Sequence, residues 1–180
     1  MKIGLVRHFK VNHPFPGRSW LPKSDVIKWF EEYDNTEDIQ YKDVDLHGAD
    51  WKRCYSSKMI RAVNTASHIY RGEIVKVTEL RELNILHRLS NKVKLPFLVW
   101  GLIVRIKSFS SNNDTNEFKN NIMAFVDKLI ASNDGGDILI VSHWFVMRVI
   151  RKVLLDRGFA GNNFKSNEYG TLYVYERVDR

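Results

Sequence analysis

The stretch Lys2-Ile3-Gly4-Leu5-Val6-Arg7-His8 is a short apolar run that stops at a paired arginine and histidine. Far downstream, Asp137-Ile138-Leu139-Ile140-Val141-Ser142-His143 repeats the design: aliphatic residues halt at a histidine, and a helical pattern follows. Apolar runs of this length predict buried strands, and alternation with helices predicts that the strands run parallel. An open parallel sheet binds ligands outside the carboxyl ends of its strands. Both histidines are therefore expected where such a sheet presents its chemistry.

A third strand end lies between them, in Cys54-Tyr55-Ser56-Ser57-Lys58-Met59-Ile60-Arg61-Ala62-Val63-Asn64-Thr65-Ala66. A strand over about 53–55 is expected to lead into a helix capped by Ser56 or Ser57. Arg61 then falls near the first turn, where an anion meets both the helix dipole and a guanidinium. Ala62, Ala66 and Ile69 give this helix a small apolar face for close packing on the sheet.

Strand-Arg7-His8, Ser56-Ser57-x-x-x-Arg61-Ala62-x-x-Thr65-Ala66 and Val141-Ser142-His143 resemble, in that order, the motifs of the histidine phosphatase superfamily, which also holds the cofactor-dependent phosphoglycerate mutases. The resemblance spans residues 3 to 143. It implies an α/β fold, a three-layer sandwich with a mostly parallel central sheet flanked by helices, like that of phosphoglycerate mutase. It also implies a phosphomonoester phosphatase. In that role His8 is the nucleophile that takes the phosphoryl group, Arg7, Arg61 and His143 hold the phosphoryl oxygens, and Glu82, in Glu79-Leu80-Arg81-Glu82-Leu83, is the general acid. No cofactor and no metal are implied, because the arginines and His143 supply the positive charge that phosphoryl transfer needs. A neutral His8 is the nucleophilic form and a protonated His143 the better charge stabiliser, so opposite protonation preferences are expected in one pocket.

Where the family places Gly, then Glu or Gln, then Thr or Ser after its Arg-His pair, this chain has Phe9, Lys10 and Val11. Phe9 either narrows the pocket or turns outward, with narrowing the expectation, and Lys10 adds a cation for the phosphate. A second Glu-Gly, common in the family after the general acid, is missing. Two alternatives stand beside the phosphatase: a mutase-type phosphotransferase, which the short chain disfavours, and a non-catalytic phosphate- or protein-binding module on the same scaffold. His13, His47, His68 and His87 match no motif position and are assigned to the surface or to structure.

The 180 residues suit one domain over 1–180, and 44% hydrophobic, 12% aromatic and 27% charged residues describe a globular protein. The longest apolar stretch, 95–104, is too short to span a membrane, and no secretory signal precedes Arg7. The single cysteine, Cys54, sits in a predicted strand and is expected to be buried. A cytoplasmic location fits. Lys and Arg outnumber Asp and Glu by 28 to 21, a net charge of +7 that suits anionic partners, but the basic residues are scattered and match no nucleic-acid motif. The expected partner is a small phosphomonoester, with no specific nucleic acid and no membrane; the oligomeric state is left open.

Along the chain, Pro14, Pro16, Gly17 and Pro22 predict an irregular loop beside Arg7-His8. Ser24 is the predicted cap of a helix over 25–33, where Val26, Trp29, Phe30 and Tyr33 recur at helical spacing. Residues 34–50, with five aspartates and a glutamate, are expected to be loop with at most one weak turn of helix and without metal-ligand spacing. Residues 74–78 alternate as a strand. The apolar segment 95–108 is expected to be a core or lid helix, since Arg105 and Lys107 alone make a thin basic face for membrane-surface binding. Asp114-x-x-Glu117 predicts a capping box and a helix to about Ser132. A helix over 144–157, stopped by Gly158, and a strand over 170–176 complete the pattern.

Overall fold

The computed structural model describes residues 1–17, 19–83, 93–109, 113–132, 134–164 and 168–177. Six strands form the main sheet: β1 (Lys2–Arg7), β5 (Trp51–Ser57), β6 (Ile74–Val77), β8 (Asp137–Ser142), β9 (Phe159–Gly161) and β10 (Leu172–Arg177). Their order is β6-β5-β8-β1-β10-β9. The first four are parallel, while β10 runs antiparallel to β1 and β9 antiparallel to β10.

The apolar runs are continuous because both faces of the sheet are covered, and the two-residue period of a strand sends alternate side chains to opposite layers. Ile3 and Leu5 of β1, with Ile138 and Ile140 of β8, pack with Ile122 and Val126 of α4 (Asn113–Ala131) and Val146 and Ile150 of α5 (Trp144–Asp156). Val6, Leu139 and Val141 face the other way, onto Ala62 and Ala66 of α2 (Ile60–Ile69). Gly4 lies under that second layer. A Cβ there would come within 2.7 Å of the Trp51 indole and 2.9 Å of Leu172, so the close approach requires glycine. This is the expected three-layer α/β arrangement.

Beside it, α1 (Lys23–Asn35) and α3 (Phe97–Phe109) pack on each other around Val26, Phe97 and Trp100. The short antiparallel pair β3 (Trp20–Pro22) and β7 (Lys94–Pro96) ties them together. A second short pair joins β2 (Lys10–Val11) to β4 (Ile39–Gln40).

Several local expectations are corrected. Helix α1 begins at Lys23 after an extended Pro22, and Ser24 lies inside its first turn with its hydroxyl on Asp25, 3.0 Å away, so it does not cap. Met59, not Ser56 or Ser57, precedes α2; Ser57 accepts a hydrogen bond from the Met59 amide instead. The stretch 34–50 contains β4 and the end of α1. Cys54 is fully buried, which pushes its thiol pKa up to about 12. Among the described residues no helix is long and apolar enough to cross a membrane.

Candidate active site

The carboxyl ends of β1, β8 and β5 lie side by side, with Arg7 opposite Ser142 and Ser56 opposite Val141. The His8 amide donates to the Ser142 carbonyl at 3.0 Å, so the two histidine-bearing strand ends are stitched together one residue past the sheet. The rings of His8 and His143 lie 5.0 Å apart, both buried.

Around His8 the hydrogen bonds select a tautomer. Its Nδ1 is 2.7 Å from the Phe9 carbonyl, which can only accept, so Nδ1 carries the proton and the Nε2 lone pair is left facing the site. The Arg61 Nε donates toward that Nε2 at 3.3 Å. Burial, with the nearby Arg61 and Arg7 charges, holds the His8 pKa well below its ordinary value despite the opposing bond to Phe9, so the ring is neutral.

His143 is fixed differently. Its Nε2 is 2.9 Å from the Ser57 hydroxyl, whose oxygen also accepts from the Met59 amide and keeps both a second lone pair and a proton, so this contact forms with either His143 tautomer. Its Nδ1 faces the cluster, where the nearest carboxylate oxygen, Glu82 Oε2, is 3.8 Å away, outside hydrogen-bond range. Burial, followed by the nearby Arg61 guanidinium, the neighbouring His8 ring and the Arg7 guanidinium, holds this histidine well below its ordinary pKa as well. The expected opposite protonation preferences are thus corrected: desolvation and two arginines act on both rings alike.

Arg61 reaches the centre from the first turn of α2 and is buried. Besides His8 it contacts two carboxylates, with Nη1 at 2.7 Å from Asp34 Oδ1 and Nη2 at 3.2 Å from Glu82 Oε2. Thr65, one turn later in α2 and fully buried, donates to the Arg61 carbonyl at 2.7 Å and accepts from the Phe9 amide at 2.8 Å. The loop that carries Glu82 is held by the Ser142 hydroxyl, which donates to the Leu80 carbonyl at 2.8 Å. Arg7 stacks its guanidinium on Tyr169, 3.7 Å from the ring centroid, while the Gly170 amide donates to the Arg7 carbonyl at 2.8 Å.

Of the residues expected at the site, Arg7, His8, Arg61, Glu82 and His143 are brought together and Lys10 is not. Lys10 is exposed on β2 opposite Gln40. The strand period explains this: Phe9 and Val11 turn inward and the residue between them turns to solvent. The narrowing expected from Phe9 is also corrected. Its ring is fully buried in a separate cluster with Val11 and Ile39, edge-on to His68 and Tyr41.

Asp34, Thr65 and Tyr169 are residues that sequence reasoning missed in these positions. Thr65 stood inside a quoted motif, which was its signal; Asp34 was grouped with a polar loop. His13 packs on Trp29, 3.7 Å from Glu32, and His47 lies beside Asp45. The assignment made for His87 falls outside the described residues. Among the described residues no group of three or more His, Cys, Asp or Glu side chains is arranged to hold a metal ion.

Comparison with known proteins follows the same lines. The family model described as the histidine phosphatase superfamily (branch 1) matches residues 43–177, a span that starts downstream of Arg7-His8. A comparison with curated proteins finds no match. Among solved structures, the alpha-ribazole phosphatase from Shigella flexneri superposes with a TM-score of 0.57 at 17% identity, over 97% of this chain and 89% of its own. Phosphoserine phosphatase from Entamoeba histolytica, in complex with 3-phosphoglyceric acid, gives 0.51 at 17% identity over 86% and 80%. Phosphoglycerate mutase from Bacillus anthracis gives 0.50 at 20% identity over 98% and 88%. At these identities the likeness shows a shared fold.

Proposed function

The chain belongs to the histidine phosphatase superfamily, and on that premise we propose that it hydrolyses small phosphomonoesters through a phosphohistidine on His8. The observation that carries the proposal is the His8 tautomer. With Nδ1–H bonded to the Phe9 carbonyl, the Nε2 lone pair faces the site, accepting from Arg61 Nε at 3.3 Å until a phosphoryl oxygen takes that donor, and the ring is neutral.

In the first step the Nε2–P bond forms and the bond from phosphorus to the ester oxygen breaks. A protonated Glu82 gives its proton to the departing alkoxide. Water then attacks phosphorus, Glu82 takes the water proton, and the P–N bond breaks to release inorganic phosphate and restore His8. Arg7, Arg61 and His143 compensate the charge on the equatorial oxygens, so we assign the reaction no metal. The incoming phosphoryl group competes with Asp34 and Glu82 for Arg61, so its binding includes release of carboxylates already on that guanidinium. We take residues 1–180 to act as one domain.

The test is hydrolysis of an aryl phosphate in the presence of excess chelator, with acid-quench trapping of the phosphoenzyme. Turnover is expected to persist with chelator, an acid-labile phosphoryl group to map to His8, and His8→Ala to abolish both. A His8→Ala protein with undiminished turnover refutes the assignment.

A further inference from the structure

We infer that α3 is a membrane-docking helix, through which the protein binds peripherally to anionic lipid surfaces. The helix is apolar on both sides. Phe97 and Trp100 are buried against α1, and the Trp100 indole donates to the Leu21 carbonyl at 2.9 Å. On the opposite side Leu98, Leu102 and Ile106 are 61%, 55% and 60% exposed. Their spacing of four residues puts them in one stripe along the helix. Trp20, 66% exposed, extends the patch: it pairs with Pro96 across β3–β7, immediately before α3 begins. Phe15, also exposed, packs its ring 5.1 Å from Phe97 at the same end.

Single exposed apolar residues are ordinary, but an aligned set around one helix marks a surface that something covers. Charge identifies the occupant. From Val93 to Phe109 the sequence contains Lys94, Arg105 and Lys107 and no aspartate or glutamate, on a chain whose net charge is +7. A second copy docked by twofold symmetry would bring these cations against their own images, a repulsive arrangement. An anionic bilayer meets both features at once, apolar side chains entering the acyl boundary and the exposed Lys94 staying among the headgroups, while Arg105 stacks on Trp144, 4.9 Å from its ring centroid.

The 13 residues of α3 are too few to span a bilayer, so the helix lies in the interfacial plane, where an exposed tryptophan such as Trp20 is also favoured. The thin basic face that argued against this surface in the sequence alone is supplemented in the fold by Lys94 and by aromatic residues from a separate segment. α1 packs on the inner side of α3 and carries Asp34 in its last turn, so one helix links the docking face to the Arg61 cluster.

Flotation of the full chain with vesicles of phosphatidylcholine, with and without phosphatidylglycerol, tests the inference. Binding is expected only to the anionic vesicles and is expected to weaken with salt. Leu102→Asp combined with Ile106→Asp is expected to lower partitioning roughly tenfold or more, and Lys94→Glu roughly fivefold, with circular dichroism spectra unchanged. Should the aspartates disturb folding, Leu102→Gln with Ile106→Gln makes the same test. The inference is overturned if the wild-type chain stays unbound on anionic vesicles at low salt, or if the folded variants float like it. It is equally overturned by a concentration-dependent dimer in ultracentrifugation that these substitutions dissolve.

Discussion

Thr65→Val removes one oxygen and almost no volume, and the structure says where the loss is felt. The hydroxyl holds two bonds, accepting from the Phe9 amide at 2.8 Å and donating to the Arg61 carbonyl at 2.7 Å, all within a fully buried setting. Without it the Phe9 N–H is left buried and unpaired, a defect that costs about 1–3 kcal/mol. For a chain of this size that corresponds to a fall in Tm of roughly 2–12 °C. Activity should fall further than stability explains. The same Phe9 residue offers the carbonyl that fixes the His8 tautomer, and α2 loses its tie to the segment that carries His8. The assay pairs urea unfolding with turnover of an aryl phosphate, with Thr65→Ser as the control that keeps the oxygen. If Thr65→Val matches wild type in both unfolding midpoint and kcat, the reasoning about this tether is wrong.

Both His8 and His143 are buried with pKa values depressed below the unfolded value, so the unfolded chain binds more protons than the native one below about pH 6.5. Their contribution to stability is fully present above that pH and is lost as pH falls toward the folded pKa values, at up to about 1.4 kcal/mol per pH unit for each ring; denaturant titrations across the acid range on wild type and His143→Ala measure it. Asp34→Asn removes one of the two carboxylates on Arg61, and since a carboxylate and a phosphoryl dianion sharing one guanidinium repel by about 1 kcal/mol in a wet site, KM should drop roughly fivefold at low salt and less at high salt. An unchanged KM would leave Asp34 without a competing role. Glu82→Gln should slow hydrolysis of alkyl phosphates by roughly 100-fold while sparing p-nitrophenyl phosphate, whose leaving group needs no proton, and Glu79→Gln should spare both; the reverse pattern moves the acid to Glu79.

What was legible in the sequence follows from where periodicity exists. The strands of β1 and β8 are apolar and long enough to be seen, and a parallel sheet brings their ends together, so Arg7, His8 and His143 could be placed as neighbours before any coordinates. Arg61 was legible through its offset from Ser57 into a helix. Strands β2, β3, β4, β7 and β9 have two or three residues each, too few to show a period, and they were missed. That omission explains the errors at Phe9 and Lys10, because β2 decides which of the two turns inward. Asp34 and Tyr169 come to the site from α1 and from the turn before β10, segments whose local patterns say nothing about a partner far away in the chain.

The pairing of β1 with β8 also sets a clock on biosynthesis. Ile3 lies opposite Ile138, so 135 residues separate partners at the middle of the sheet. A ribosome adding about 5–20 residues per second leaves the first strand waiting roughly 7–27 s for its neighbour. During that interval Ile3, Leu5 and Val6 have neither of their eventual layers complete, and the cluster of Arg7, His8, Arg61 and His143 cannot assemble on a nascent chain that has not yet exposed His143. Nascent chains arrested before residue 137 should therefore remain cleavable by protease near β1, while longer ones become resistant, and the apolar strand in the waiting chain is a natural substrate for a holding chaperone.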